Sequence, residues 1–307
     1  MTVYGKDSRI GFIGLGVMGG GMAHNLLRKG HRLHVYGRRP EATQAFVAAG
    51  AQREATPADV ARASDLVILC LSDDAAVEAV LFGADGVAGG LGAGQCVIDT
   101  STISASATRV FGEQLRKLGA TLLDAPVSGG QQGAEAGTLT TMVGGPAEQV
   151  EACRTVMSAF CKSITHVGAL GAGQTVKACN QVAVAGALLG VADAFALALA
   201  QGVDPKVMRD VLLGGTARSL ALEKHGQRVL DADFAPGFRA RLMRKDLRIA
   251  LQTGRDAGAG LPGAQAAERL LDQLCESGRA EWDWSALALQ VQAEAGLPIP
   301  ETPRKAD

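Results

Sequence analysis

The stretch Arg9-Ile10-Gly11-Phe12-Ile13-Gly14-Leu15-Gly16-Val17-Met18-Gly19 decides how the chain is read. Arg9 to Gly14 reads as a strand. Met18 to Lys29 reads as a helix that Gly30 closes at the C′ position. Between them lies G-x-G-x-x-G at a strand-to-helix turn, the setting in which this spacing binds a dinucleotide. Gly14 makes the tight turn, Gly16 lets backbone approach a pyrophosphate, and Gly19 lets helix and strand pack closely. The pyrophosphate is expected against free N–H groups at the helix N-terminus, so Leu15, Val17 and Met18 are counted with the three glycines as cofactor-binding residues.

Downstream, short apolar runs alternate with helical patterns. Strands are predicted at Arg32–Tyr36, at Leu66–Leu71 (an uninterrupted apolar run, as a buried parallel strand requires), at Gln95–Asp99, Thr121–Pro126 and Leu139–Val143. Helices are predicted at Pro40–Ala49, Asp74–Phe82, Ser104–Leu118 and Pro146–Phe160. This alternation predicts an α/β domain, a Rossmann-type doubly wound sheet, over residues 1–168. Beyond Gly168 almost nothing reads as strand. Helices are predicted at about 172–201, 205–213, 219–231, 240–258, 262–277 and 284–295, so residues 169–307 form a second, all-α domain. The tail from Leu297 to Pro303 is expected to be extended or disordered.

Composition excludes several function classes. With 30 Lys and Arg against 31 Asp and Glu, the formal net charge is −1, which argues against broad electrostatic binding to nucleic acid or an anionic membrane. The 47% apolar content is too high for a disordered chain. Forty glycines in 307 residues is close to twice the usual ~7%, and they follow no three-residue period, so they belong to turns, close packing and ligand approach. The six cysteines form no C-x-x-C pair and the five histidines no ligand spacing; reduced, buried thiols and no metal are expected. Met1 to Arg9 lacks the apolar core of a signal peptide, so a cytoplasmic protein is expected. Val182–Ala200 is apolar enough to resemble a membrane span, but Asp193 sits in its middle, and a helix buried between protein layers is the reading adopted.

The second strand ends Tyr36-Gly37-Arg38-Arg39-Pro40. A carboxylate that would bind a ribose 2′-hydroxyl is missing, and Arg38 and Arg39 suit a 2′-phosphate instead, which predicts NADP(H) preferred over NAD(H). The alternative is that both are solvated loop charges. Two further loops follow strands on the same sheet edge, and place Leu71, Ser72 and Thr102 by the nicotinamide half; Thr102 can equally be a helix cap.

Ser128-Gly129-Gly130 does not fit a nucleophile elbow, because Pro126 occupies the first glycine position. A hydroxyl followed by exposed N–H groups suits a small carboxylate, although a plain glycine turn fits as well. Lys177 and Asn180, at i and i+3, share a face at the head of the long apolar helix. Burial would lower the pKa of such a lysine and make it a proton donor and acceptor near neutral pH; the alternative is a lysine that snorkels to the surface. By itself, Arg244-Lys245-Asp246-Leu247 reads as a solvated helix face.

Together, Gly11–Gly19, Asp124–Gly130, Gly171–Asn180 and Lys245-Asp246-Leu247 resemble the β-hydroxyacid dehydrogenase family over about residues 9–296. The resemblance implies a Rossmann-type domain followed by an all-α domain carrying dimer contacts, hence a homodimer or homotetramer. It implies Lys177 as the catalytic acid/base, Ser128, Gly129, Gly130 and Asn180 as substrate-binding residues, Lys245 near the nicotinamide, and Asp246 in support. Gly214–Ser219 and Asp233–Phe238 look most like the branch that reduces tartronate semialdehyde (2-hydroxy-3-oxopropionate). Departures from that branch occur at Gly37-Arg38-Arg39 and Leu71-Ser72. The rival readings are a dehydrogenase of 3-hydroxyisobutyrate, threonate or a sulfonated analogue, an imine reductase, and a non-catalytic NADP-binding protein. Lys177 argues against the last two.

Overall fold

The computed structural model describes residues 3–299, so the tail from Pro300 lies outside the described residues. The chain divides into two units, one ending at Lys177 and the other beginning at Ala178.

The first unit runs β1 (Arg9–Ile13), α1 (Val17–Arg28), β2 (Arg32–Tyr36), α2 (Glu41–Ala48), β3 (Gln52–Arg53), α3 (Pro57–Ala63), β4 (Leu66–Leu69) and α4 (Asp74–Phe82). It continues through β5 (Cys96–Asp99), α5 (Ala105–Lys117), β6 (Thr121–Asp124), β7 (Val127–Ser128), α6 (Gly130–Ala136), β8 (Leu139–Gly144), α7 (Ala147–Met157) and β9 (Cys161–Gly168). The strands form one sheet in the order β3-β2-β1-β4-β5-β6-β8-β7, with β9 paired to β8. From β3 to β6 every pairing is parallel; β8 runs antiparallel to β6 and β7 and parallel to β9.

The strand order reverses beside β1, as in a doubly wound sheet, and this places the C-terminal ends of β1, β4 and β5 side by side. β4 is wholly buried because helices cover both of its faces, which is why its sequence shows no alternation. Two apolar layers flank the sheet: one holds Phe12, Met22, Leu26 and Phe160, the other Val67, Leu69, Leu81 and Phe111.

The second unit is helical. α8 (Ala172–Ala200) begins in the first unit and enters the second at Ala178; α9 (Pro205–Leu213), α10 (Gly226–Asp231), α11 (Ala240–Asp256), α12 (Pro262–Leu274) and α13 (Leu287–Glu294) follow. Its core gathers Leu188, Phe195, Leu222, Phe234, Leu247 and Trp284 around α8 and α11.

Two sequence expectations need correction. α8 is not a helix covered on all sides: only 33% of its most apolar window is buried, although by length and composition it could cross a membrane. The exposed side carries Cys179, Ala183, Gly186, Ala187 and Gly190, small residues that leave a smooth face, exposed among the described residues. Nor are all the thiols buried. Cys96, Cys153 and Cys161 are, Cys70 and Cys275 are half-buried, and Cys179 is exposed; all six are free.

Candidate active site

The loop after β1 shows why its glycines are needed. Gly14 has φ +104°, and a Cβ there would strike the Cys70 carbonyl; a Cβ on Gly19 would strike the Gly14 carbonyl and approach Cys70 Cβ at 3.1 Å. A Cβ on Gly16 would meet nothing within 4 Å. Protein packing therefore fixes Gly14 and Gly19, whereas Gly16 faces open space where a ligand backbone can come close. Gly16 is also the N-cap of α1; it supplies no side-chain cap, and the first turn holds no acidic residue. That end of the helix, with its partial positive charge, suits a phosphate.

At the end of β2, a Cβ on Gly37 would lie 3.1 Å from Thr43 Cγ2 and 3.3 Å from Ala42 Cβ, so a side chain there would press on the start of α2. Arg38 and Arg39 are exposed, and neither guanidinium has a partner among the described residues. An uncapped helix end, an open glycine and two uncommitted guanidiniums fit a dinucleotide.

The strand ends next to this loop are cross-linked. Leu71 N donates to Ser101 Oγ (2.8 Å), and Ser101 N donates to Asp99 Oδ1 (3.0 Å). Gln174, buried in the first turn of α8, donates to the Ser101 carbonyl (2.8 Å) and accepts from Ile103 N (3.2 Å). The loop that carries Thr102 is thus tied to the helix that carries Lys177. Thr102 is not the cap of α5, since Ser104 caps it by accepting from Ala107 N at 3.1 Å. Ser72 is exposed and Leu71 half-buried. Asp73 follows as the cap of α4. Burial pushes the Asp99 carboxyl up to about 6, and its Oδ2 has no hydrogen-bond partner. Burial likewise pushes the Cys70 thiol up to about 11, which leaves it protonated and inert at neutral pH.

Lys177 is only 7% exposed, so it does not snorkel to the surface. It lies one turn before Asn180 on α8, as the spacing predicts. The helix head is held from a distance: Asp124, at the end of β6 and fully buried, accepts from Gly171 N and Gln174 N through its two oxygens, at 2.8 Å each. Those bonds favour the charged form, but the loss of water outweighs them and the Asp124 carboxyl stands above its ordinary value. Four residues on, half-buried Ser128 ends β7, and Gly129 (φ +135°) and Gly130 (φ +63°) are exposed as the chain turns into α6. A residue with a side chain would be strained at either glycine.

In the second unit, the charge cluster is more than a solvated helix face. Asp246 is buried and pairs with Lys245 Nζ at 3.0 Å. Its other oxygen accepts from Gln181 Nε2 (2.6 Å), and Gln181 Oε1 accepts from Asn180 Nδ2 (2.8 Å). The carboxylate dictates which end of the Gln181 amide faces it, and this in turn fixes the Asn180 amide. Arg244, by contrast, pairs with Asp272 on the half-exposed side of α11.

Sequence reasoning missed Asp124, Gln174 and Gln181 as site residues. Asp124 and Gln174 act across sequence separations of 47 to 73 residues, and Gln181 reaches 65 residues to Asp246, so spacing alone could not find them. For Gln181 and Gln174 the available signal was a pair of buried amides in an otherwise apolar helix.

A doubly wound sheet with an open helix end suited to a phosphate, together with a buried lysine, fits a nicotinamide-dependent oxidoreductase. Two family models divide the chain: the NAD-binding domain of 6-phosphogluconate dehydrogenase matches residues 9–168, and the NAD-binding domain of NADP-dependent 3-hydroxyisobutyrate dehydrogenase matches residues 171–291. The chain is 40% identical to the 2-hydroxy-3-oxopropionate reductase of Escherichia coli, over 94% of this chain and 99% of that one. It is 37% identical to the NAD-dependent L-serine dehydrogenase of Pseudomonas aeruginosa, over 91% and 96%. A solved structure of Mycobacterium tuberculosis 3-hydroxyisobutyrate dehydrogenase with L-serine matches with a TM-score of 0.86 and 31% identity, over 93% and 99%. The chain belongs to the β-hydroxyacid dehydrogenase family and is an NAD(P)-dependent oxidoreductase with the Rossmann-type and helical domains of that family.

Proposed function

We propose that this enzyme uses NADPH to reduce a small semialdehyde or keto acid to a hydroxyacid, with 2-hydroxy-3-oxopropionate (tartronate semialdehyde) as its substrate. The observation that carries the reading is Lys177: a buried lysine at the head of α8, on one face with Asn180, in a chain 40% identical to a 2-hydroxy-3-oxopropionate reductase. NADPH, when bound, supplies the hydride to the substrate carbonyl carbon. Lys177, as the ammonium, protonates the oxygen that becomes the alcohol, and its charge stabilises the negative charge building there. In the reverse direction neutral Lys177 accepts that proton. The Ser128 hydroxyl and the N–H groups of Gly129 and Gly130 receive the substrate carboxylate. Asn180 holds the substrate, with its amide set by Gln181. Lys245 serves the nicotinamide side, and buried Asp246 holds it. Arg38 and Arg39 take the 2′-phosphate, and the loops at Leu71, Ser72 and Thr102 serve the nicotinamide half. NADH is the weaker cofactor.

The 37% identity to an L-serine dehydrogenase supports a second reading, in which the substrate is another β-hydroxyacid such as serine or 3-hydroxyisobutyrate. A panel of short hydroxyacids and semialdehydes, assayed with both cofactors, decides between them. The first reading expects the highest kcat/KM for 2-hydroxy-3-oxopropionate with NADPH; a higher value for L-serine with NAD+ overturns it. Lys177→Ala is expected to lower kcat by about 10³-fold while NADPH binding persists. Near-normal turnover would remove Lys177 from its role.

The exposed small-residue face of α8 supports a homo-oligomer, at least a dimer, in which a second copy covers Ala183, Gly186 and Gly190. Gly186→Arg is expected to shift the sedimentation coefficient toward the monomer; an unchanged species would place the interface elsewhere. The free thiols agree with a cytoplasmic enzyme.

A further inference from the structure

We propose that Asp124 is a positioning residue that fixes Lys177 against the Ser128–Gly130 loop, so that the proton donor and the carboxylate-binding backbone form one rigid piece. The inference rests on the reading of Lys177 as proton donor, and it concerns how that residue is held.

α8 has no cap of its own. Gly171, the residue before its first turn, has no side chain; Ala172 N donates locally to the Ala169 carbonyl, while Gly171 N and Gln174 N take an acceptor from elsewhere in the chain. Asp124 supplies it from β6, one oxygen to Gly171 N and the other to Gln174 N. Two bonds from one planar carboxylate to two points on a helical turn fix both the axial position and the rotation of the helix. Lys177 is the third residue after Gln174, less than one turn beyond the anchor and about 4.5 Å along the axis.

The surrounding backbone is shaped for this carboxylate. A Cβ on Gly173 would lie 2.8 Å from Asp124 Oδ2, 2.6 Å from the Asp124 carbonyl and 2.5 Å from the Met142 carbonyl. A Cβ on Gly144, opposite Asp124 in the sheet, would collide with Asp124 Oδ1. Two glycines therefore make room for one buried acid, which a helix cap at a chain surface would not need. On the other side, Asp124 is only four residues from Ser128, and the intervening backbone is pinned: Thr141 Oγ1 donates to the carbonyls of Ala125 (3.0 Å) and Pro126 (3.1 Å). From Asp124 the connection thus runs through short, buried, hydrogen-bonded backbone to the anion loop, and through two hydrogen bonds to the lysine helix.

Three variants test this. Asp124→Asn keeps an acceptor for one N–H and loses the other bond; Asp124→Ala loses both; Gly173→Ala leaves the carboxylate in place but pushes the helix turn away from it. Each is assayed per folded site, counted by NADPH fluorescence titration, with NADPH and with NADPH deuterated at the transferred position. The expected result is a fall in kcat of about 10²-fold for Asp124→Ala and Gly173→Ala, the scale of a misplacement near 1 Å, with a smaller fall for Asp124→Asn. KM for NADPH should stay within twofold, and the deuterium isotope effect on kcat should rise as the chemical step becomes limiting. If Asp124→Ala does not fold, Asp124→Asn and Gly173→Ala carry the same comparison.

A lower melting temperature with kcat per site and isotope effect unchanged would mean that Asp124 only stabilises the fold, and would overturn the proposal. A loss that appears in KM for NADPH rather than in kcat would overturn it too. Lys177→Ala, run alongside, separates the two ideas: full activity in that variant removes the proton-donor reading, whereas inactivity there with undisturbed Asp124 and Gly173 variants removes only the positioning role.

Discussion

α1 and α8 each follow a glycine that supplies no side-chain cap, and their ends have opposite fates. At α1 the end after Gly16 is left open, with no cap and no acidic residue in the first turn. At α8 the end after Gly171 is closed by the buried carboxylate of Asp124. The electrostatic demand is the same in both places, an anion at the partial positive charge of a helix end. In one case a ligand must satisfy it, and in the other the protein does so itself. The open end is a place to bind; the closed end is a fixture from which a side chain further along the helix can be aimed.

The sharpest way to break this comparison is within the open loop. Gly19→Ala puts a Cβ into the Gly14 carbonyl, and the backbone must move to admit it. A destabilisation of more than about 3 kcal/mol is expected in urea unfolding, together with loss of cofactor binding. Gly16→Ala puts a Cβ into open space. Its stability should change by under about 1 kcal/mol while NADPH affinity falls, because only the ligand needs that space. If Gly16→Ala binds NADPH normally, the open end is not where the phosphates lie.

The closed end has a neighbour that sharpens the contrast. Asp99 stands opposite Asp124 in the register of β5 and β6, and is as deeply buried. Yet Asp99 Oδ1 accepts from Ser101 N while its Oδ2 has no partner, and burial raises its pKa from 3.8 to about 6. Between those two values the folded chain holds a proton that the unfolded chain has released, so the contribution of Asp99 to stability is greatest below about 4 and declines until the pH passes about 6. At 1.36 kcal/mol per unit, this contributes a decline of about 3 kcal/mol. The raised carboxyl of Asp124 acts in the same direction. Asp99→Asn should flatten the fall in unfolding free energy between pH 4 and pH 7 without abolishing it. An unaltered pH dependence in that variant would mean that Asp99 is not titrating there.

A third test returns to the cofactor end. Arg38→Ala and Arg39→Ala remove charges that have no partner among the described residues, so stability should hold. Loss of a charge-assisted contact to a 2′-phosphate, worth about 1.5–3 kcal/mol, should raise KM for NADPH by about 10- to 100-fold and leave KM for NADH unchanged. Equal effects on the two cofactors would end the case for NADP preference.

How much of this was legible in the sequence follows the same division. The alternation of β1 to β6 with their helices was readable because each element carries its own pattern, and G-x-G-x-x-G was readable because all of its parts lie within six residues. The Lys177–Asn180 face was readable because helix geometry fixes i and i+3. What was not read is short, exposed or remote. β3 is two exposed residues that gain meaning only by pairing with β2. α6 has no apolar stripe and is held by its backbone: Asn25 Nδ2 donates to the Ala134 carbonyl at 2.6 Å. α3 did carry a signal, Thr56 capping with Pro57 at the first position, but seven residues gave it no periodicity. Charge patterning alone marked Lys245 and Asp246 as surface, because the amide that turns Asp246 inward, Gln181, lies on another helix.

Gln181 therefore gives the smallest but most specific test of remote anchoring. Its Nε2 donates to Asp246 and its Oε1 accepts from Asn180, so a single amide joins an ion pair on α11 to a side chain on α8. Gln181→Leu keeps most of the volume and strips both polar ends. Asp246 keeps its pair with Lys245 but loses its amide donor, at a cost of about 1–3 kcal/mol in stability. Asn180 loses the acceptor that sets its amide, which should raise KM for the substrate several-fold and leave KM for NADPH alone. If the relay aligns Asn180, the further substitution Asn180→Ala in the Gln181→Leu background should add little to that KM effect, because the two residues act as one unit. Fully additive effects would show that Asn180 is oriented by something other than Gln181, and that this part of the second unit is held by packing rather than by a polar chain.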